Sequence, residues 1–200
     1  MKHCVQDVLR PIECERHMIS KFRQPDFKDS EFPQHPSVFS AQQKTYEFTW
    51  DRHHGRNINF GKYIDPNDIR PGTISSPEFL SILACLAEKE QNVKRIIEDQ
   101  KVSQDGFYMV RVNIGGVWRY IFVDDYIPMQ GPEPAGACSY PDQEIDAWVA
   151  LTEKAYAKAY NSNYGIFEQV ISHEHYLRDL TGAPIQTFQP NDPDVSLAIR

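Results

Sequence analysis

Few side chains in this sequence have both the type and the spacing to do chemistry. Cys4, Cys14, Cys85 and Cys138 each carry a thiol, but they form no Cys-x-x-Cys unit and no paired spacing, so neither a zinc site nor a disulfide framework is indicated. Unpaired thiols fit a reducing compartment. His53-His54 and His173-x-His175 are the histidine groupings. With no cysteine or carboxylate at ligand spacing, they read as solvated loop residues rather than transition-metal ligands. Asp124 and Asp125 are adjacent in a strand pattern and so point to opposite faces, where they cannot share a proton. Their expected role is to bond backbone groups at the strand exit. Ser75 and Ser76 precede an apolar helical run, which marks them as caps before nucleophiles.

The elements that must position these residues are legible in part. Ser75 and Glu78 have capping-box spacing around Pro77, and Phe79, Ile82, Leu83 and Leu86 then recur at helical intervals. Cys85, beside that stripe, is expected in the core. A second amphipathic stretch has Val93, Ile96 and Ile97 on one face. Phe107 to Ile114 and Val117 to Val123 are rich in β-branched and aromatic residues, and Gly115-Gly116 between them predicts a two-residue hairpin. Pro128 is expected to close the following strand, and Gly131 to Pro141 has loop composition. A helix is predicted over Asp142 to Tyr160, with Trp148 and, on the hairpin, Trp118 read as packing residues. Between Gln24 and Asn59 no clean period appears, which suggests an irregular wrap anchored by Phe27, Phe32, Phe39, Phe48 and Trp50.

Composition sets the limits. Two hundred residues at 40% hydrophobic and 24% charged support one core with tails: an extension over 1–23, a domain over 24–186 and a tail over 187–200. A net charge of −7 without a basic stripe argues against nucleic-acid or anionic-membrane partners. The opening segment lacks the apolar run of a signal peptide, and no stretch of about 18 apolar residues occurs, so neither secretion nor membrane spanning is expected.

Several stretches resemble the first protease-core subdomain of the calpain family of cysteine proteases. Gly106-Phe107 through Trp118 to Val123-Asp124-Asp125-Tyr126-Ile127-Pro128 is similar to the family's aromatic strand, Gly-x-Trp, strand and Asp-Asp-x-x-Pro. Trp148-Val-Ala-Leu-Thr-Glu-Lys-Ala-Tyr-Ala-Lys158 resembles its Trp-Ser-Ala-Leu-Leu-Glu-Lys-Ala-Tyr-Ala-Lys. Phe27 to Pro33 looks like the family's opening Phe-x-Asp-x-x-Phe-Pro, and Asp179-Leu180-Thr181-Gly182 like its closing Asp-Phe-Thr-Gly. The resemblance implies a papain-like α+β (α/β-like) fold in which helices pack with a hairpin-containing β portion.

The departures bear on function. The family's Asp-Ile-x-Gln-Gly-x-Leu-Gly-Asp-Cys-Trp supplies an oxyanion glutamine and a nucleophilic cysteine. In the matching stretch Asp68, Ile69 and Gly72 agree, but Pro71 stands for the glutamine, Pro77 for the cysteine and Glu78 for the tryptophan. The family's histidine and asparagine come from a downstream subdomain, and the sequence ends soon after the Thr-Gly match. The expectation is therefore a non-catalytic domain acting as a protein-interaction or structural module. Calpain-like proteins with altered catalytic residues often accompany the cytoskeleton and cilia, so the resemblance implies a cytoskeletal or axonemal protein partner and a cytoplasmic, cytoskeletal or ciliary location. No cofactor is expected beyond one candidate ion: the family's calcium site maps onto the carboxylates of Asp68 and Asp146 and carbonyls near Gly61 and Tyr63. Oxygen-only ligation suits calcium; alternatively Asp146 interacts with a helix dipole. That leaves two further readings, a calcium-responsive regulatory domain pairing with a separate polypeptide and an active peptidase using another cysteine.

Overall fold

Gly115 and Gly116 both have positive φ, at 60° and 86°, the backbone that a two-residue primed turn demands. They join β4 (Phe107–Ile114) to β5 (Val117–Asp124) in the predicted hairpin, in register from Ile114↔Val117 to Phe107↔Asp124. The computed structural model describes residues 26–52, 58–59, 64–97, 103–139, 145–169 and 171–186. The expected extension over 1–23, the tail over 187–200, His53, His54, Gly61 and Tyr63 lie outside them.

Among the described residues four α-helices accompany the hairpin: α1 (Pro77–Ala87), α2 (Glu90–Ile96), α3 (Trp148–Ala159) and α4 (His173–Thr181). α1 buries Phe79, Ile82, Leu83 and Leu86, as its periodicity predicts, against α2 and α4. α3 packs on β4 and β5 and is buried on every side from Trp148 to Ala157, including the polar Thr152, Glu153 and Lys154. A helix enclosed on all sides takes its polar residues inside with it, where they must find partners.

Among the described residues two further small sheets join the hairpin and helices in an α+β architecture. β1 (Thr49–Arg52), β6 (Tyr126–Gln130) and β7 (Glu133–Pro134) form an antiparallel set in the order β1-β6-β7. The second sheet runs β2-β9-β8-β3, from β2 (Ile58–Asn59), β9 (Ile145–Asp146), β8 (Cys138–Ser139) and β3 (Ile69–Arg70), with β2 and β9 parallel.

Two expectations need correcting here. Pro128 does not close a strand but lies within β6, opposite Trp50. Its carbonyl accepts from Ala135 N–H at 2.8 Å, so the missing N–H faces the β7 side, where paired residues begin only at Met129. The helix predicted from Asp142 starts at Trp148, because Ile145 and Asp146 are taken up by strand pairing.

The irregular wrap is pinned by the expected aromatics. Phe39 lies 4.6 Å from Phe48 and 5.7 Å from both Trp50 and Tyr164, Phe32 meets Tyr164 edge-on at 5.1 Å, and Phe27 meets Phe107 at 5.0 Å. A buried polar tether adds to them. Asp124 accepts from the N–H groups of Asp29 (2.7 Å) and Tyr126 (3.0 Å), from Gln34 Nε2 (2.7 Å) and from Lys154 Nζ. This extends the expected role of Asp124 at the strand exit. Lys158 of α3 reaches Asp29 at 2.7 Å and the Phe122 carbonyl at 2.8 Å. Burial pushes the Lys154 ammonium below the usual lysine range, opposed by the carboxylates of Asp124, Asp29 and Asp125.

Candidate functional site

The segment from Asp65 to Phe79 brings together the residues singled out in the sequence. Asp65 caps a 3₁₀ turn over Pro66–Asp68, its side chain accepting from Asn67 N–H at 2.8 Å, and β3 follows. At Gly72 the chain runs so close to the 135–136 backbone that a Cβ would fall inside van der Waals contact with the carbonyl oxygens of Ala135 and Gly136. Glycine is required there for close approach rather than for turn geometry. Ile74 N–H donates to Ala135 O at 3.0 Å, which seals the segment onto that loop.

The residue that caps α1 is Ser76, not Ser75 as its spacing from Glu78 suggests. Ser76 Oγ accepts from Phe79 N–H at 3.2 Å and donates to the Glu78 carboxylate at 2.8 Å, with Pro77 at the first helical position. Ser75 Oγ instead accepts from Gly72 N–H at 3.1 Å, closing the preceding turn. Pro71, Pro77 and Glu78 are all exposed on this rim. The Glu78 carboxyl is held below the usual carboxylate range, first by its own backbone N–H, then by Ser76 and by His173 at the start of α4. Phe79, one residue on, is anchored beneath by Tyr156, Phe167 and Tyr176 at 5.0, 5.1 and 5.2 Å.

Under the rim lies a group that the sequence reading assigned no role. Glu153 of α3 is fully buried, and one of its oxygens accepts from Ala137 N–H at 2.8 Å, while the other has no hydrogen-bond partner among the described residues. Burial pushes its carboxyl up to about 7, opposed by the Ala137 N–H and the Ser75 hydroxyl. A carboxyl near neutrality is suited to proton exchange, and the hydroxyl beside it is that of Ser75, which also closes the turn at Gly72. No local signal marks Glu153, because Thr152-Glu153-Lys154 reads in sequence as the polar side of a helix and only packing buries it.

The remaining candidates separate. Cys85 is exposed, not in the core. At 100° per residue it lies about 110° round α1 from the centre of the Phe79, Ile82, Leu83 and Leu86 stripe, which explains the correction. Cys138 is buried in β8. His175 Nδ1 is 2.7 Å from the Ser172 hydroxyl, and among the described residues no three His, Cys, Asp or Glu side chains are arranged to hold a metal. Asp68 is half-buried, and its carboxylate has no hydrogen-bond or ion-pair partner among the described residues. The register of the second sheet sets Asn59, Asp146, Ser139 and Ile69 in one row across four strands, so the backbone next to Asp68 shares a row with Asp146. Asp179 of α4 is buried and accepts from the Tyr156 hydroxyl at 2.9 Å, which ties α4 to α3. Among the described residues no helix is long and apolar enough to cross a membrane.

Comparison with known proteins places these features in a family. The profile of the "Calpain family cysteine protease" domain matches residues 27–199. The maize "Calpain-type cysteine protease DEK1" is 32% identical over 69% of this chain, and the Caenorhabditis elegans "Calpain-5" is 27% identical over 91%. The human "Calpain-7" is 29% identical over 52% of the chain. The matched regions amount to 6%, 30% and 16% of those relatives' own lengths. With the profile covering all but the first 26 residues and the last one, and with hairpin, buried helix and capped α1 arranged as the motifs imply, this chain belongs to the calpain family of cysteine proteases.

Proposed function

We propose that the chain is a non-catalytic calpain domain that works as a protein-interaction or structural module. The observation that carries this reading is Pro77 at the first position of α1, where the family motif has its cysteine. Proline has no nucleophilic side chain, and it has no N–H with which to stabilise an oxyanion. Pro71 in place of the glutamine removes a second donor, and the Glu78 carboxylate disfavours a thiolate nearby. Both neighbouring hydroxyls, on Ser75 and Ser76, are engaged in turn and cap.

The test is incubation with a thiol-directed epoxide probe and a fluorogenic peptide at millimolar calcium. No hydrolysis is expected, and Cys85 should react no faster than a small free thiol. Saturable labelling, or hydrolysis abolished by Cys85→Ala or Cys138→Ala, would establish the active-peptidase reading instead. The proposed partner is a cytoskeletal or axonemal protein, in the cytoplasm or a cilium. A soluble monomer with nothing bound, in an extract of the cells that make it, would count against that assignment.

A second reading, a calcium-responsive regulatory domain that pairs with a separate polypeptide, is favoured by the unpartnered Asp68 carboxylate and the row that contains Asp146. Two carboxylates with backbone carbonyls are the donor set of a hard cation. On this reading calcium raises the thermal midpoint and releases or absorbs heat, and Asp68→Asn removes both effects. Absence of heat and of any midpoint change at millimolar calcium eliminates it.

A further inference from the structure

A cavity of about 230 Å³ lies where five elements converge: Leu86 of α1, Asn92 and Arg95 of α2, Arg111 of β4, Trp118 of β5 and Leu180 of α4 line it. The Arg111 guanidinium lies 4.7 Å from the Trp118 ring centre and 5.8 Å from that of Tyr120. Stacking holds the guanidinium plane and leaves its N–H edge free to donate. Arg111 Nε is buried and has no acceptor among the described residues.

Charge sharpens the case. The sequence carries 28 acidic against 21 basic residues, and Arg52 and Arg178 both have carboxylate partners, Asp125 and Asp179. Among the described residues Arg95 and Arg111 have none, and no acidic side chain lines the cavity. A buried guanidinium N–H without an acceptor is costly, and an incoming anion relieves that cost. Leu86, Leu180 and the Trp118 ring make the rest of the cavity lining largely apolar, which disfavours a fully hydrated anion. The volume is below the range of drug-sized sites and suits a single amino-acid residue.

We infer that this cavity receives the C-terminal residue of a partner protein: its free carboxylate on Arg111 and Arg95, its aliphatic side chain against Leu86, Leu180 and Trp118. The inference stands whether or not the domain cleaves peptides. Leu86 is nine residues, roughly 13 Å, along α1 from Pro77, and none of the described lining residues belongs to the 68–78 segment.

N-acetyl-leucine is the probe, titrated against the ¹⁵N-labelled full chain at pH 7 while the Trp118 indole N–H signal is followed by NMR. A saturable shift is expected, weakened at least tenfold with N-acetyl-leucinamide and in the Arg111→Gln variant. Arg95 is exposed, so Arg95→Gln repeats the test on an intact fold if Arg111→Gln fails to fold; it too should weaken binding severalfold. Three results would overturn the inference: no saturable shift, equal binding of the amide, or inorganic phosphate producing the same shift at the same concentrations.

Discussion

Asp124→Ala is expected to destabilise the domain by about 4 kcal/mol or more, read from the urea midpoint by fluorescence. The carboxylate is fully buried and takes four donors from three parts of the chain: Asp29 and Gln34 in the wrap, Tyr126 in β6 and Lys154 in α3. Its removal strands the Lys154 ammonium, which is itself fully buried, and leaves two backbone N–H groups without acceptors. Each orphaned group adds its own desolvation cost. Lys154→Met should cost roughly half as much, since the Asp124 charge keeps three N–H donors. In the double variant Asp124→Ala with Lys154→Met, the loss should fall short of the sum by at least about 1 kcal/mol, because no buried charge is then left alone. A cost below about 1 kcal/mol for Asp124→Ala would mean that the tether is not structural. Because small domains are held by only about 5–15 kcal/mol in total, the first variant should be marginal at best.

The second large effect is a pH dependence centred on Glu153. Its folded value is about 7 against an ordinary 4.5, so between those limits the folded state holds a proton that the unfolded chain has released. Stability from this group is therefore complete below pH 4.5, falls as the pH rises through about 7, and is lost above. The span corresponds to about 3 kcal/mol. Glu153→Gln should remove that slope: its amide oxygen still accepts from Ala137 N–H, and it never ionises. The variant is thus expected to match the parent near pH 5 and to exceed it in thermal midpoint at pH 8. Using the difference between the two proteins cancels the opposite trend from Glu78, whose lowered value gives stability lost as the pH falls. Parallel curves for the two proteins would show that the Glu153 carboxyl titrates normally.

What could be read from the chain alone was what near neighbours control. Two glycines at positive φ dictate the 107–124 hairpin, since few other residues adopt that backbone. The 79–86 stripe and the Pro77 helix start follow from 3.6-residue geometry and from proline's missing N–H, and the aromatic anchors of the 27–50 wrap from their size. The motif matches carried the family, because those residues sit in these same local elements. Where a partner far along the chain decides, the reading failed or fell silent. Which serine caps α1 depends on the clamp between Gly72 and the 135–136 backbone, and Pro128 is tolerated in β6 because Ala135 faces it. Strands of two residues have no period to detect, so the β2-β9-β8-β3 row exists only through its cross-strand bonds. The α4 helix has its stripe in Tyr176 and Leu180 alone, too few positions to stand out from loop composition. The buried Glu153, the Asp124 tether and the arginine-lined cavity all join residues tens of positions apart. Their charges and burial are properties of the packed core, where desolvation sets protonation and pairing, and no window of sequence contains both members of those pairs.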